Sequence, residues 1–418
     1  MKKLFNEFAG NIDTYIMFKI KEKTAQLKDE LTKKGRAPIS LSMGAPTTMP
    51  PKFLLDAMKE ALDEKGMHTY STPKGEKYLL DAIQTRMKNR FGVQVETNEI
   101  CSLIGSKEGI ANFLRGIISP TTDENKKDII LVPDPSYASY SEMIKVSGGK
   151  SYAMPLTHEN NYMPDLDEVW NNLQKEGLNP DKVKAMLINY PNNPLGASCT
   201  FEYLKKVVEF CKQHNILLMS DAAYADMYFD EKYKPHSALE VEGAKKVTVE
   251  FHSFSKPYAM TGWRIGWVCG NKEVVQQFAK LKSTIDSGIF KPIQKAAAKI
   301  LNSKEGDEYI VWANQEIKKK ADYFVKAFTE ELNWEIKNVP TATFYQWLPI
   351  PKKYADATEF CNALLEKSGV VMVPGDAFGK YGAGFVRVSI VCSLEELQEV
   401  VRRMKEDGFT YNANQRRN

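Results

Sequence analysis

The stretch Ser253-Phe254-Ser255-Lys256, followed eight residues later by Arg264, carries the most distinctive chemistry of the sequence. A lysine forms a Schiff base with a carbonyl group once burial or a neighbouring cation favours its unprotonated amine. Hydroxyls and a guanidinium suit a phosphate monoester, because arginine offers a planar fork of N–H donors and a permanent charge. Together these residue types meet the requirements of pyridoxal 5′-phosphate (PLP). Taken alone, the stretch is equally compatible with a surface lysine and an arginine in a salt bridge.

Other residues have the types that such a cofactor and an amino-acid substrate require. Asp221 is the candidate to keep the ring nitrogen protonated, which makes the ring an electron sink. Tyr224 and Asn193 are donors for the phenolic oxygen of the cofactor, and Tyr137 is an aromatic side chain suited to stacking on its ring. Arg387 lies in an apolar strand whose alternation directs its side chain to the protein interior. An unpaired cation is costly there, so Arg387 is predicted to bind a substrate carboxylate. The alternatives are a structural ion pair for Arg387, and a helix cap or a pair with an arginine for Asp221.

The elements that must position these residues form a regular alternation. Predicted strands at 101–104, 129–132, 183–188, 216–220 and 247–251 alternate with predicted helices at 77–91, 136–146 and 200–214. Continuous apolar strands separated by helices indicate a parallel sheet with helices on both faces. Ligands bind such sheets at the carboxyl ends of the strands. Ser106, Asn193, Asp221 and Lys256 each follow such an end, which predicts an α/β fold with a single site at that edge.

Two glycine turns extend the predicted site. Gly105 lies between a strand and a helix that begins near Ser106 and Lys107, and the N–H groups at a helix N-terminus bind anions. Gly44 follows the short apolar run 39–43 and has no side chain to keep a ligand from its backbone. For Gly44, an ordinary strand-to-loop glycine is an equally good interpretation.

The domain organisation is predicted from length and from the elements at the two ends. At 418 residues, the chain is long for one core. A helix at 12–34 and a segment that joins the small domain occupy residues 1–50, and a large PLP-binding domain occupies 51–290. A small α+β domain occupies 291–418, with strands at 343–348, 370–373 and 385–389. The polar residues 412–418 are expected to fray.

Composition excludes several classes of function. The net charge is +4, and no apolar run is long enough to span a membrane, so neither nucleic acid nor a membrane is an expected partner. The six cysteines are scattered without a C-x-x-C pair, which predicts no metal site and no disulfide framework. This usage is typical of a protein of the reducing cytoplasm.

Four motifs occur in an order and at separations that are specific in combination: Asn192-Asn193-Pro194-x-Gly196, Asp221-x-x-Tyr224, Ser253-Phe254-Ser255-Lys256 and Thr261-Gly262-Trp263-Arg264-Ile265-Gly266. With them, from Gly44 to Arg387, the chain resembles a class I/II aminotransferase of the fold-type I PLP-dependent family. The resemblance implies a large domain with a mostly parallel central sheet covered by helices, and a smaller α+β domain. It also implies a homodimer with shared active sites.

The resemblance further implies a role for each matching residue. Lys256 would form the Schiff base and carry the 1,3-proton transfer, and Asp221 would hold the ring nitrogen. Tyr224 and Asn193 would bind the phenolic oxygen, and Tyr137 would stack on the ring. The implied phosphate ligands are the backbone of Ser106 and Lys107, with Ser253 and Arg264. Tyr70 is expected to reach the phosphate in the partner subunit's site. The implied ligands of the substrate are Arg387, Asn193 and the Gly44 backbone.

Within this family, the stretches Ile104–Gly109 and Lys282–Gln294 are most similar to LL-diaminopimelate aminotransferases. The predicted function is therefore amino transfer from LL-diaminopimelate, in lysine biosynthesis, with 2-oxoglutarate as acceptor in a ping-pong mechanism. Lys107 and Asp286 are candidates for the distal amino-carboxylate end of that substrate. Leu195 stands where the family usually has threonine, and the loop 70–75 carries no acidic residue, so the substrate is less determined than the PLP chemistry.

Three alternatives remain at this point. The first is an alanine-type aminotransferase, to which the same stretches are also similar, or an aspartate-type one. The second is a PLP-dependent lyase that resembles cystathionine β-lyase. The third is a PLP-binding transcription regulator of the same fold; it is disfavoured because such proteins carry an N-terminal DNA-binding module, whereas the fold here is predicted to begin almost at Met1.

Overall fold

The computed structural model describes residues 4–10, 12 and 16–411. Their helices are α1 (Glu7–Gly10), α2 (Ile16–Lys33), α3 (Lys52–Asp63), α4 (Lys77–Phe91), α5 (Ser106–Ile117), α6 (Ser139–Val146), α7 (Leu166–Lys175), α8 (Phe201–Gln213), α9 (Lys272–Ser283), α10 (Lys291–Leu301), α11 (Lys304–Glu330), α12 (Ala357–Ser368) and α13 (Leu394–Glu406). None of the described helices is long and apolar enough to cross a membrane.

The strands of the described residues form three sheets. They are β1 (Ile39–Ser40), β2 (Ile100–Leu103), β3 (Ile129–Asp134), β4 (Lys150–Pro155), β5 (Val183–Ile188), β6 (Leu217–Asp221), β7 (Thr248–Ser253), β8 (Gly266–Gly270), β9 (Tyr345–Pro349), β10 (Val370–Val371), β11 (Val373–Pro374) and β12 (Phe385–Ser389).

The largest sheet has seven strands in the order β2-β8-β7-β6-β5-β3-β4. The pairs β3–β4, β3–β5, β5–β6 and β6–β7 are parallel, whereas β8 runs antiparallel to both β2 and β7. The predicted α/β fold with a mostly parallel central sheet is therefore confirmed. Strand β8 was not predicted, because its five residues are bounded by Gly266 and Gly270 and directly follow a glycine-containing turn.

Helices cover both faces of this sheet, which explains why its strands read as continuous apolar runs. In β5, Ala185 and Leu187 pack in a core with residues of α5, α6 and α9. Met186 and Ile188 point to the opposite face and pack with residues of α7 and α8. Apart from the exposed Lys184, the residues of β5 are thus buried on one face or the other.

The C-terminal part of the chain has a core of its own, which includes Phe324, Phe328 and Trp334. Its antiparallel sheet has the order β11-β12-β9, and β1 pairs in parallel with β10, with Ile39 opposite Val370. The N-terminal segment therefore joins this part, although the predicted division at residues 50 and 290 stays a prediction.

Three predicted elements differ from the structure. The predicted strand at 370–373 divides at Met372, because its first half pairs with β1 and its second half with β12. The predicted helix at 136–146 begins only at Ser139, since residues 136–138 form a turn in which the Ser136 N–H donates to the carbonyl oxygen of Phe378 at 2.8 Å. The predicted helix at 12–34 is α2, and residues 13–15 and 412–418 lie outside the described residues.

Candidate active site

A cavity of about 370 Å³ lies at the carboxyl ends of the central strands. The structure brings together there eleven of the twelve residues predicted for the site: Gly44, Ser106, Lys107, Tyr137, Asn193, Asp221, Tyr224, Ser253, Lys256, Arg264 and Arg387. Tyr70 is the exception, since it lies outside the lining and is 87% exposed.

Lys256 lies on the loop that follows β7, and its amine points into the cavity. Its Nζ donates to the carbonyl oxygen of Gly44, which belongs to the N-terminal segment. Burial, with the positive charges of Arg387 and Arg264, lowers the pKa of Lys256 from 10.5 to about 8. The amine is therefore unprotonated far more often than that of an ordinary lysine, as a Schiff-base lysine requires.

Asp221 is the last residue of β6 and is buried at the floor of the cavity. The hydroxyl of Tyr140, on α6, donates to its Oδ2 at 2.5 Å, and the Ala223 N–H donates to its Oδ1 at 3.2 Å. Burial raises the pKa of Asp221, and the two hydrogen bonds oppose that shift. The pair with Arg264 that the sequence left open does not form, because the partners of that arginine are backbone carbonyls.

An anion cradle lies where β2 meets α5. Gly105, at φ +80°, precedes Ser106 at the start of the helix, and a Cβ on it would lie 2.1 Å from a guanidinium nitrogen of Arg264. Arg264 donates to the carbonyls of Thr261 and Ile104 at 2.8 and 3.2 Å. Ser253 belongs to the same cavity lining. A fixed cation next to a helix N-terminus is a binding site for a phosphate group.

Arg387 is buried in β12 and has no carboxylate partner among the described residues. Its guanidinium donates to Asn193 Oδ1 at 3.0 Å and to the carbonyl oxygen of Ser42 at 2.6 Å. Its Nε has no hydrogen-bond partner. The structural ion pair considered from the sequence is therefore not formed within the described chain. A buried cation with an unused donor fits a carboxylate ligand, because burying an unpaired charge is otherwise costly.

Aromatic residues complete the lining. The Tyr224 hydroxyl lies 2.9 Å from that of Tyr345, and the Arg387 guanidinium lies 4.8 Å from the centre of the Tyr345 ring. Tyr137 lies edge-on to Tyr140, and the Lys107 Nζ is 5.7 Å from the Tyr137 ring centre. Tyr224 and Tyr137 thus line the cavity, while their roles toward a cofactor stay predictions.

Sequence reasoning missed several residues of the site. Asn189 donates to the carbonyl oxygen of Asp221 at 2.8 Å and accepts from the Asn193 N–H at 3.0 Å, and so joins two strand ends. Tyr140 and Tyr345 were also missed. Asn189 directly follows the apolar strand β5, so the strand-end signal that identified Asp221 also points to it.

Asp286, considered for the distal end of diaminopimelate, is not in the cavity lining of this chain. Its two carboxylate oxygens accept hydrogen bonds from the buried Lys282, at 2.7 and 2.6 Å. Within a single subunit, Asp286 is therefore committed to an ion pair and does not contribute to the cavity.

The lining as a whole fits an anionic cofactor together with an anionic substrate. Lys107, Lys256, Arg264 and Arg387 face a single carboxylate, Asp221, among the described lining residues. The orphaned Nε of Arg387 and the Gly105 cradle supply separate places for a carboxylate and a phosphate.

Comparison with known proteins agrees with this arrangement. The family of class I and II aminotransferases matches residues 36–404. An LL-diaminopimelate aminotransferase 2 of Trichormus variabilis is 38% identical, over 96% of this chain and 97% of the relative. An LL-diaminopimelate aminotransferase of Nitratidesulfovibrio vulgaris is also 38% identical, over 91% and 94%.

Solved structures show the same fold. Substrate-bound BacF from Bacillus subtilis superimposes with a TM-score of 0.90 at 31% identity, over 98% of this chain and 100% of that chain. Aspartate aminotransferase from Thermus thermophilus with maleate gives a TM-score of 0.85 at 26% identity, over 96% and 99%.

Proposed function

The chain belongs to the class I and II aminotransferases, and we propose that it binds PLP at Lys256 and moves an amino group between an amino acid and a 2-oxo acid. One observation carries this proposal. Lys256, with its pKa lowered to about 8, shares a cavity with a buried arginine, Arg387, that has no carboxylate partner among the described residues. That pairing suits a primary amine that reacts beside a bound carboxylate.

When bound, PLP supplies an electron sink for the bonds at the α-carbon of the substrate. The Arg387 guanidinium binds the α-carboxylate and so orients that carbon toward Lys256. The unprotonated Lys256 amine would accept the α-proton of the substrate and act as the proton carrier of the amino transfer. Asp221 holds a proton at the ring nitrogen, and Tyr224 donates to the phenolic oxygen.

The lining of the cavity supports a ping-pong mechanism. Within the described lining, Arg387 is the buried guanidinium with an unused donor, so the amino acid and the 2-oxo acid compete for the same carboxylate site. The two substrates must then bind in turn, and glutamate with 2-oxoglutarate is the proposed second pair. Initial-rate measurements at several fixed concentrations of the second substrate would give parallel double-reciprocal lines. Intersecting lines would contradict the proposal.

The first test of the chemistry is the variant Lys256→Ala. It removes the amine and leaves the strands and the arginines in place, so the absorbance at ~420 nm that is expected of the bound cofactor and all turnover should be lost. Circular dichroism should show that the fold is retained. Turnover in a folded Lys256→Ala protein would refute the proposal.

We propose LL-diaminopimelate as the amino donor. Support comes from the relatives that carry that name at 38% identity over most of both chains. Lys107 lies in the cavity lining, and its positive charge suits a distal carboxylate. Asp221 is the only carboxylate of the described lining, so the partner for the distal ammonium would come from a second subunit.

A second candidate donor is an amino acid with an uncharged side chain, as in an alanine-type enzyme. The observation that favours it is the group of apolar lining residues, Met17, Met43, Ile110 and Met143. Apolar and thioether side chains favour an uncharged substrate group because they offer a charged one no hydrogen-bond partner.

A single-turnover screen would separate these candidates. The yellow protein is mixed with one amino acid at a time, and the change in its spectrum is followed without an acceptor. A fast change with LL-diaminopimelate and slow changes with alanine and aspartate support the first donor, while glutamate, as part of the proposed second pair, should also change the spectrum. The opposite order supports the second or an aspartate-type enzyme. Pyruvate release from cystathionine without an acceptor would instead identify a lyase.

We also propose that the active protein is a homodimer in which Tyr70 reaches the partner subunit's site. Support comes from its 87% exposure, which is unusual for a large aromatic side chain. Mixing inactive Lys256→Ala and Tyr70→Ala proteins should restore up to about a quarter of wild-type activity. Half of the dimers are then hybrids, and each hybrid has one intact site. No restored activity, with mixed dimers present, would contradict sharing.

The cytoplasm is the proposed compartment. All six cysteines are free thiols, which supports a reducing environment. Localisation of a tagged chain would test this.

A further inference from the structure

Tyr140 was not among the predicted residues, yet it forms the shortest hydrogen bond to Asp221 in the cavity. Its hydroxyl lies 2.5 Å from Oδ2, and both side chains are buried. The ring of Tyr140 packs edge-on against Tyr137, with ring centres 5.5 Å apart and an angle of 85° between the planes. Tyr140 is therefore fixed between the aromatic wall and the carboxylate.

The hydrogen bonds to Asp221 set the orientation of its carboxylate. Tyr140 occupies Oδ2, and the Ala223 N–H reaches Oδ1 at the longer distance of 3.2 Å. An ionised carboxylate has about four acceptor positions, so each oxygen can accept one further donor. A charge-assisted O–H···O bond at this length is the stronger of the two contacts, so it contributes most to holding the plane of the carboxylate.

We propose that Tyr140 is a positioning residue: it holds the Asp221 carboxylate ionised and oriented so that this carboxylate can bind the protonated ring nitrogen of the cofactor. This inference rests on the proposed binding of PLP. Tyr140 should therefore affect only the binding of the ring nitrogen by Asp221, whereas a residue that only shapes the cavity would affect the binding of the whole ligand. Burial, which raises the pKa of Asp221, favours the neutral acid, and the Tyr140 hydroxyl opposes that change.

The test compares two ligands that cannot form a Schiff base with Lys256, because neither has an aldehyde group. The first is pyridoxine 5′-phosphate, in which an alcohol replaces the aldehyde. The second is its 1-deaza counterpart, in which carbon replaces the ring nitrogen. Their dissociation constants are measured on the cofactor-free full chain by equilibrium dialysis. Tyr140→Phe should weaken the first ligand about tenfold or more, since hydrogen bonds to charged groups are the strong ones, and leave the second within about twofold.

Tyr203→Phe is the matched control. Tyr203 is also a buried tyrosine, and its hydroxyl donates to the carbonyl oxygen of Pro164 at 3.1 Å, outside the cavity lining. Its loss should change neither dissociation constant. In an Asp221→Asn background, Tyr140→Phe should have no further effect on the ratio of the two constants, because its route through the carboxylate is gone.

The outcomes separate the two hypotheses. Equal weakening of both ligands by Tyr140→Phe, or no weakening, overturns the role of Tyr140. Failure of the wild-type protein to bind pyridoxine 5′-phosphate and to turn yellow with PLP overturns the proposed function instead. If Tyr140→Phe does not fold, a fluorinated tyrosine at this position keeps the ring and hydroxyl and changes only its acidity. An unchanged ratio of the two constants would then refute the proposal.

Discussion

The acidity of Lys256 is the property of the site that can be tested most directly. Its pKa is lowered from 10.5 to about 8, first by burial and then by Arg387 and Arg264. Near pH 7.5 about a quarter of the amines are then unprotonated, against about one in a thousand for an ordinary lysine. The predicted gain in reactive amine is therefore about two hundredfold.

The perturbation is Arg387→Gln, which removes one of the two cations without adding an anion. A neighbouring like charge shifts a pKa by about one unit or more, so the pKa of Lys256 should rise to roughly 9. Near pH 7.5 the unprotonated fraction then falls to about three in a hundred. Arg115→Gln is the matched control, because Arg115 is an exposed arginine on α5 outside the cavity lining.

Competitive labelling with acetic anhydride, read by mass spectrometry, measures this in the cofactor-free protein. The reagent is small, and the reactivity of the Lys256 peptide is followed against pH. The wild-type and Arg115→Gln proteins should give a midpoint near pH 8, and the Arg387→Gln protein a higher one. A wild-type midpoint near 10, or one that Arg387→Gln leaves unmoved, would refute the electrostatic argument.

Two further predictions concern the anion cradle at Gly105 and the ion pairs of Asp226. Gly105→Ala should weaken phosphate binding about tenfold or more, because the added Cβ would lie 2.1 Å from Arg264 and the backbone φ is +80°. Inhibition of the enzyme by inorganic phosphate measures this binding, and unchanged inhibition would contradict the prediction. Asp226 is paired with Arg86 and Arg90 at 2.9 Å each, and although burial raises its pKa, the two arginines lower it to about 2. The contribution of the Asp226 carboxylate to the free energy of unfolding should be full above about pH 4 and lost as the pH falls toward 2. The variant Asp226→Asn should lower the free energy of unfolding by about 3–5 kcal/mol at neutral pH. Urea unfolding measured across this pH range checks both expectations, and a difference between the two proteins that does not change with pH below pH 4 would contradict the assignment.

The parallel part of the fold could be predicted from the sequence, because each buried parallel strand is visible there as a continuous run of apolar residues. Strand β5 at 183–188 and helix α4 at 77–91 were predicted to the residue for this reason. Strand β8 could not be, since it is defined by its antiparallel partners β2 and β7 rather than by a pattern of its own. The same holds for the division at Met372, which depends on two partners distant in sequence.

The residues of the site also fall into those with a local sequence signal and those placed by contacts between distant elements. Residues that follow a strand end, such as Asp221 and Lys256, could be predicted because topology brings all such ends to one edge of the sheet. Tyr140 lies within a helix and Tyr345 on a strand more than a hundred residues beyond its partner Tyr224. Their roles depend on packing between separate elements, and no spacing in the sequence records that packing.

The excess positive charge of the cavity links these observations. Arg264 and Arg387 donate mainly to carbonyl oxygens and, for Arg387, to an amide, so neither charge is neutralised within the described chain. Arg387 is buried, so the fold retains its charge at a cost to its own stability, because burial without a counter-charge is unfavourable. Anions that bind there relieve this cost and stabilise the folded state. Each proposed ligand, the phosphate at Arg264 and the carboxylate at Arg387, also deprives Lys256 of a neighbouring uncompensated cation, so its pKa should rise as the site fills. By this argument the amine is most reactive in the empty site; the proposed cofactor would supply the counter-charge of Arg264, and the proposed substrate that of Arg387.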